Sequence, residues 1–218
     1  ILFRKMSKIK IKNSNQKIAD ILLKIGCVNI NFKKKYTLTS GKKSPVYVDC
    51  RKLISFPKER EIVINEMTKL IKSKYKNKVL VAGGETAGIP YSSFISHKLK
   101  YPMIYIRKHP KGFGKGKLIE GEFKKKSISI LIEDMATDGG SKLHFINSLR
   151  KNLLTIKDIY VVFFYNIYPA AKKNLKKMRV NLNYLTSWHD ILEVSPNYIS
   201  NREQQKLKQY ISSIENGK

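Results

Sequence analysis

The residues best suited to chemistry are two adjacent acids, Glu133 and Asp134. A turn of small and hydroxylated residues follows, Ala136-Thr137-Asp138-Gly139-Gly140-Ser141. Carboxylates in such a place accept hydrogen bonds from sugar hydroxyls. A Gly-rich turn leading into a helix aims backbone amides at a phosphate, and the helix N-terminus adds its field. The run Ile130-Leu131-Ile132 before the acids has the composition of a strand buried on both faces. Leu143, Ile146 and Leu149 after the turn have helical spacing on one face. Strand, turn and helix together make a cradle for a phosphorylated sugar.

A second stretch repeats this logic. The apolar residues 79–82 run into Gly83-Gly84-Glu85-Thr86-Ala87-Gly88, and a helix is predicted over 91–99. A strand over 103–106 then meets RKHPKGFGKGKLIEG at 107–121, whose Lys and Gly content reads as a long flexible basic loop. Helical spacing predicts helices over 17–26, with Gly26 as the stop, and over 58–75, begun by Pro57. Short strands are expected at 36–38 and 46–48 around a turn at 40–45. Further strands are expected at 159–165 and 184–188, and helices at 170–178 and 203–214. Strands alternating with helices predict an α/β fold with a parallel sheet, whose ligands sit at the carboxyl ends of the strands. The 83–88 turn, the 107–121 loop and the 134–141 turn then share one edge of the molecule.

Composition sets the outer limits. The chain has 218 residues, enough for one large domain. No apolar run approaches the ~20 residues of a membrane span, and the basic N-terminal stretch has no signal-peptide core, so no membrane partner is expected. Ile1 is not an initiator Met, so a trimmed or internal start is expected. Two cysteines make no disulfide framework, which favours a reduced, cytoplasmic setting. Net charge is +28, from 44 Lys and Arg against 16 Asp and Glu. Lysine dominates and is scattered over every segment, so compositional drift is favoured over a polyanion-binding surface, and no nucleic-acid partner is expected. The field would still speed capture of an anionic substrate.

Four motifs occur in an order and at separations that resemble orotate phosphoribosyltransferases of the type I phosphoribosyltransferase family. They are SGKKSPVYVDCRKLIS at 40–55, GGETAGIP at 83–90, YIRKHPKGFGKG at 105–116 and LIEDMATDGGSK at 131–142. LTSWHD at 185–190 is similar to the family's C-terminal pattern. The resemblance implies a central, mostly parallel sheet flanked by helices, with a small N-terminal hood and a flexible catalytic loop. Residues 1–16 read as a basic flexible arm and 17–218 as a single domain. The hood would come mainly from 17–56 plus C-terminal elements.

The implied reaction is transfer of the phosphoribosyl group of phosphoribosyl pyrophosphate (PRPP) to orotate, giving orotidine 5′-monophosphate and pyrophosphate with Mg2+ as cofactor. Such an enzyme is a pentosyltransferase of pyrimidine (UMP) biosynthesis. The resemblance assigns PRPP to Gly83, Gly84, Glu85, Thr86 and Ala87, to Arg107, Lys108 and Lys111, and to Glu133, Asp134, Met135, Ala136, Thr137, Asp138, Gly139, Gly140 and Ser141. Arg107, Lys108, Lys111 and Asp134 are the candidate catalytic residues, with Asp134 reaching the metal through water. Tyr47, Val48 and Thr137 fall where the family contacts orotate. Arg51, by charge alone, is a candidate for its carboxylate or a member of a structural ion pair. A homodimer sharing the loop across subunits is implied, and a complex with orotidine monophosphate decarboxylase is possible.

The chain departs from the family at several points. Phe113 stands where many members carry a loop His, and His109 is out of register. Thr39 and Thr86-Ala87 replace a Lys and a Tyr-Lys. Trp188 and His189 read as core or capping residues. The rival readings are a phosphoribosyltransferase for another base and a PRPP-sensing nucleic-acid-binding regulator. The 40–55 and 83–90 motifs oppose the first, and the long Lys/Gly loop opposes the second.

Overall fold

The side chain of Asn13 accepts the Gln16 N–H at 2.9 Å and so satisfies one of the orphan amides of a first helical turn. Helix α1 (Ser14–Lys24) buries Ile18, Ala19, Ile21 and Leu22, and the chain leaves it through Gly26 at φ +70°. The helix begins before residue 17, because the cap rather than the apolar spacing sets its start. Gln16, expected in a flexible arm, is buried. The structure, a computed structural model, describes residues 10–37, 43–110, 117–137 and 139–217.

Four short strands follow: β1 (Val28–Ile30), β2 (Tyr36–Thr37), β3 (Lys43–Ser44) and β4 (Val46–Val48). The expected pairing of 36–38 with 46–48 is not the one formed. β2 pairs antiparallel with β3, and β4 pairs antiparallel with β1, a strand too short to show periodicity. A 3-10 turn (Cys50–Ser55), capped by the Asp49 side chain, leads to α2 (Pro57–Lys74) with proline at its start.

The core then alternates: β5 (Leu80–Gly84), α3 (Gly88–Leu99), β6 (Met103–Ile106), β7 (Ile119–Glu120), β8 (Ile128–Ala136), α4 (Leu143–Lys151), β9 (Thr155–Phe164), α5 (Ala170–Met178), β10 (Asn181–Ser187), α6 (Trp188–Val194) and α7 (Asn201–Glu215). The sheet order is β10-β9-β8-β5-β6-β7, parallel throughout except for the β6–β7 pair. β7 falls inside the expected loop. Ile119 pairs with Ile106 and Arg107 N–H donates to Leu118 O, so the irregular stretch is shorter than 107–121. Leu143 is 44% exposed, because a 3-10 turn (Gly140–Lys142) rotates the start of α4. Phe145, Ile146 and Leu149 carry its buried face. Trp188 opens α6, wholly buried, and His189 faces Glu215 at 3.0 Å.

Each face of the sheet carries its own core. Helices α1, α2, α3, α6 and α7 pack on one, and α4 and α5 on the other. β5 hands the chain to α3 on the first face, whereas β8 hands it to α4 on the second. The winding therefore reverses between β5 and β8, and a crevice opens at their carboxyl ends. β1–β4 and α1 meet the C-terminal helices: Tyr198 Oη donates to Asp20 Oδ1 at 2.7 Å, and the Tyr210 and Ser44 hydroxyls share a bond of 3.1 Å. Among the described residues no helix is long and apolar enough to cross a membrane.

A polar knot closes the opposite end of the sheet. Asp158, wholly buried, accepts bonds from Lys74 Nζ, Tyr75 Oη, Asn181 Nδ2 and Asn183 Nδ2. Burial pushes its carboxyl up, but these donors outweigh burial and hold it below the ordinary range. Asp158→Ala should cost roughly 3 kcal/mol of stability, since it strands four donors around an empty site. A lowered carboxyl pKa stabilises above the unfolded-state value and is lost as pH falls through the folded one. The deficit should therefore be full at neutral pH and shrink in acid. Thermal melts of both proteins across that range test this, and turnover at room temperature should not change.

Candidate active site

β8 continues through the acid pair to Ala136 and is still paired with β9 there: Glu133 lies opposite Val161 and Ala136 opposite Phe164. The acids therefore sit within the strand and not, as expected, beyond it. Strand alternation sends adjacent side chains to opposite sides. Glu133 turns toward Lys142 and Phe145, and Asp134 to the other side. Both line a cleft of about 1210 Å³ at the crevice.

Glu133 is 5% exposed. Its Oε2 accepts from Lys142 Nζ, itself buried, while Oε1 has no hydrogen-bond partner among the described residues. Burial pushes its carboxyl up to about 7 against the opposing charge of Lys142. Asp134 is 9% exposed, and its Oδ1 accepts the Met135 N–H at 2.8 Å. Burial raises its pKa too, with Lys142 again opposing.

The second turn approaches these acids closely. A Cβ on Gly84 would lie 2.2 Å from Glu133 Oε1, and one on Gly88 would lie 2.4 Å from Ile132 O. Only glycine fits at either position. Gly88→Ala meets a backbone oxygen that cannot rotate away. It should cost roughly 1–3 kcal/mol and displace the turn. Thermal melts of the variant measure the loss, and an unchanged melting temperature would mean that the turn yields without cost. Glu85 joins the turn to the loop: its N–H donates to Ile106 O at 2.9 Å, and its Oε2 accepts the Lys108 N–H at 2.7 Å. The Glu85–Thr86 peptide bond is cis.

Thr86, Ala87, Lys108, Met135 and Thr137 line the cleft with Glu85 and the acid pair, so the structure brings these expected residues together. Gly83 and Gly84 form the buried floor at the end of β5, and Ala136 is packed in the second core. Arg107 turns aside: its guanidinium lies 3.9 Å from Glu120 and 3.4 Å from His109 O. Gly139, at φ +78°, and Gly140 begin the turn into α4. Lys111, Phe113 and Asp138 lie outside the described residues, as do Thr39 and the side chain of Ser141.

On the far wall stand Tyr47, Val48, Asp49 and Arg51. Arg51 Nε donates to Asp49 Oδ1 at 2.7 Å and Nη2 to Tyr47 Oη at 3.3 Å, so its structural ion pair is formed while it still faces the cleft. Several lining residues were not anticipated, among them Lys142, Tyr165 and Tyr168. The two tyrosine rings stack 5.9 Å apart. Tyr165 closes the IYVVFFY run, so its place at a strand's carboxyl end was the available signal. Lys142 had none in so lysine-rich a chain.

Among the described residues no group of three or more His, Cys, Asp or Glu forms a metal cage. Mg2+ does not require one, because it commonly takes one or two carboxylates, substrate phosphates and water. Two buried carboxylates, one with a free oxygen, fit that demand.

No family model matches the chain. It is 44% identical over 176 residues to the orotate phosphoribosyltransferase of Ruegeria sp. (strain TM1040), a match covering 80% of this chain and 78% of the relative. The orotate phosphoribosyltransferase of Sinorhizobium fredii is 39% identical over 180 residues, 82% of this chain and 78% of that one. Among solved structures, orotate phosphoribosyltransferase from Aeropyrum pernix superposes with a TM-score of 0.71 at 26% identity, covering 84% of this chain and 99% of its own. UMP synthase of Leishmania donovani gives 0.77 at 27% identity, covering 92% of this chain, which spans only 43% of that protein. With its sheet, its crevice and its acid pair, the chain belongs to the orotate phosphoribosyltransferase family.

Proposed function

We propose that this cleft carries out the family's reaction, and that its residues divide the work by segment. Asp134, with Glu133 beside it, takes the ribose hydroxyls of PRPP. The turn from Thr137 to Ser141 holds the 5′-phosphate with amides and hydroxyls. The turn from Gly83 to Ala87 holds pyrophosphate, and Lys108 and Lys111 neutralise it as it leaves. Tyr47, Val48, Thr137 and Arg51 face orotate, with Tyr165 and Tyr168 as an aromatic wall. A ring nitrogen of orotate bonds the anomeric carbon while the bond to pyrophosphate breaks and its electron pair departs with the leaving group. Positive charge builds on the ribose and negative charge on pyrophosphate, so catalysis is mostly positioning and electrostatics. Mg2+, held by Asp134 through water, would supply further neutralisation of the pyrophosphate.

The observation that carries this reading is the convergence of three separate segments on one cleft, with two buried carboxylates at their junction. The test is spectrophotometric depletion of orotate with PRPP and Mg2+. Activity should need all three and vanish with EDTA. Turnover of uracil or a purine but not orotate would transfer the assignment to another base. We further propose a cytoplasmic homodimer, in keeping with two unpaired, buried cysteines and with a loop shared between subunits in the family. The decarboxylase that consumes the product is a candidate partner.

A further inference from the structure

Lys142 has no role in the reading above, yet it is paired with Glu133 where the two turns assigned to phosphate come together. Its ammonium grips Glu133 Oε2, and both side chains are almost wholly removed from water, at 8% and 7% exposure. A buried ion pair is a poor stabiliser, because desolvation of both charges offsets their attraction. Stability of the fold does not account for it. Position does. Lys142 ends the Gly140–Lys142 turn, and its N–H donates to Gly139 O at 3.1 Å. Glu133 Oε1 lies against the other turn, so close that a Cβ on Gly84 or Gly88 would stand 2.2 Å or 2.5 Å from it. The β5–β8 ladder ends at the Gly83–Ile132 pair, and past that point the two turns leave the sheet separately. The linked groups Gly84 and Gly88, Glu133, Lys142 and Gly139 span the gap.

We infer that Lys142 is a positioning residue: through Glu133 it ties the turn that holds the 5′-phosphate to the turn that holds pyrophosphate, and so fixes the distance between the two ends of PRPP. The inference rests on the PRPP reading. A ligand anchored at both ends gains from the second anchor only if the spacing is right, whereas a fragment bound at one end is indifferent to spacing. Misplacement on the order of 1 Å is enough to lose about a hundredfold.

The experiment compares Lys142→Met with wild type by calorimetric titration with three ligands in Mg2+ buffer: PRPP, inorganic pyrophosphate and ribose 5-phosphate. PRPP should weaken at least tenfold more than the product of the two fragment losses. A PRPP loss equal to that product, or a loss confined to one fragment, would overturn the inference and make Lys142 a direct ligand of that subsite. If Lys142→Met does not fold, Glu133→Asp keeps both charges and shortens the link by one methylene. The same excess loss is expected there, and its absence is equally fatal. Wild type binding none of the three would instead remove the PRPP reading, and the inference with it.

Discussion

Asp134→Asn lowers kcat/KM for PRPP by about a hundredfold, the scale of removing one preorganised charge from around a transition state. The amide keeps the shape of the carboxylate but not its charge, so it offers less to the ribose as positive charge develops there. The same substitution should raise the melting temperature by a few degrees, on the scale of 2–4 °C per kcal/mol for roughly this chain length. Asp134 is almost buried, and burial raises its pKa, which means that the folded protein holds the ionised carboxyl at a cost. Removing that charge relieves the fold and harms the function together. Kinetics and thermal melts of one purified variant measure both. A less stable variant with normal kinetics would make Asp134 a structural residue.

In the proposed homodimer, mixed dimers distinguish two parts of the basic loop. Lys111→Ala and Asp134→Asn chains, each nearly inactive alone, should regain about half of wild-type activity when paired, since in a two-fold dimer one site then receives an intact loop and an intact cradle. Lys108→Ala paired with Asp134→Asn should regain nothing. Lys108 lines the cleft of its own chain, and its N–H is fastened to Glu85 in the turn after β5. It therefore serves the same subunit as Asp134. Activity of the purified mixed dimers against both parents decides the point. Recovery in the second pair would place Lys108 in the neighbouring site, and none in the first would confine the whole loop to its own subunit.

Legibility in the sequence varied with length and with background. β6 (Met103–Ile106) and α5 (Ala170–Met178) have the bounds the sequence predicts, because a surface loop follows one and Pro169 opens the other. β1 offers three residues and β7 two, too few for any period to register. α6 follows β10 without a breaker. Its sign was the Ser187–Asp190 capping box, hidden inside LTSWHD. At the site, the acid pair and the two Gly turns stood out because small and acidic residues are scarce in this chain. Lys142 did not, since one buried lysine looks like the exposed ones until burial is known. Leu143 misled for a geometric reason, the short 3-10 turn that shifts the phase of the helix after it.

Vectorial synthesis gives the seam between the first and last helices a further meaning. The apolar side of α1, with Ile18, Ile21 and Leu22, packs against α6 and β10, and Gln16 reaches Glu193. A ribosome adding roughly 5–20 residues per second leaves α1 waiting something like 10–30 s before α6 emerges. During that interval the nascent chain presents a bare amphipathic helix to whatever is nearby. Emergence of α6, and not local helix formation, then sets the moment at which the part of the molecule around α1 closes. Agents that hold nascent apolar segments should therefore be found on α1 of stalled chains whose α6 is still inside the ribosome, and not on those in which α6 has emerged.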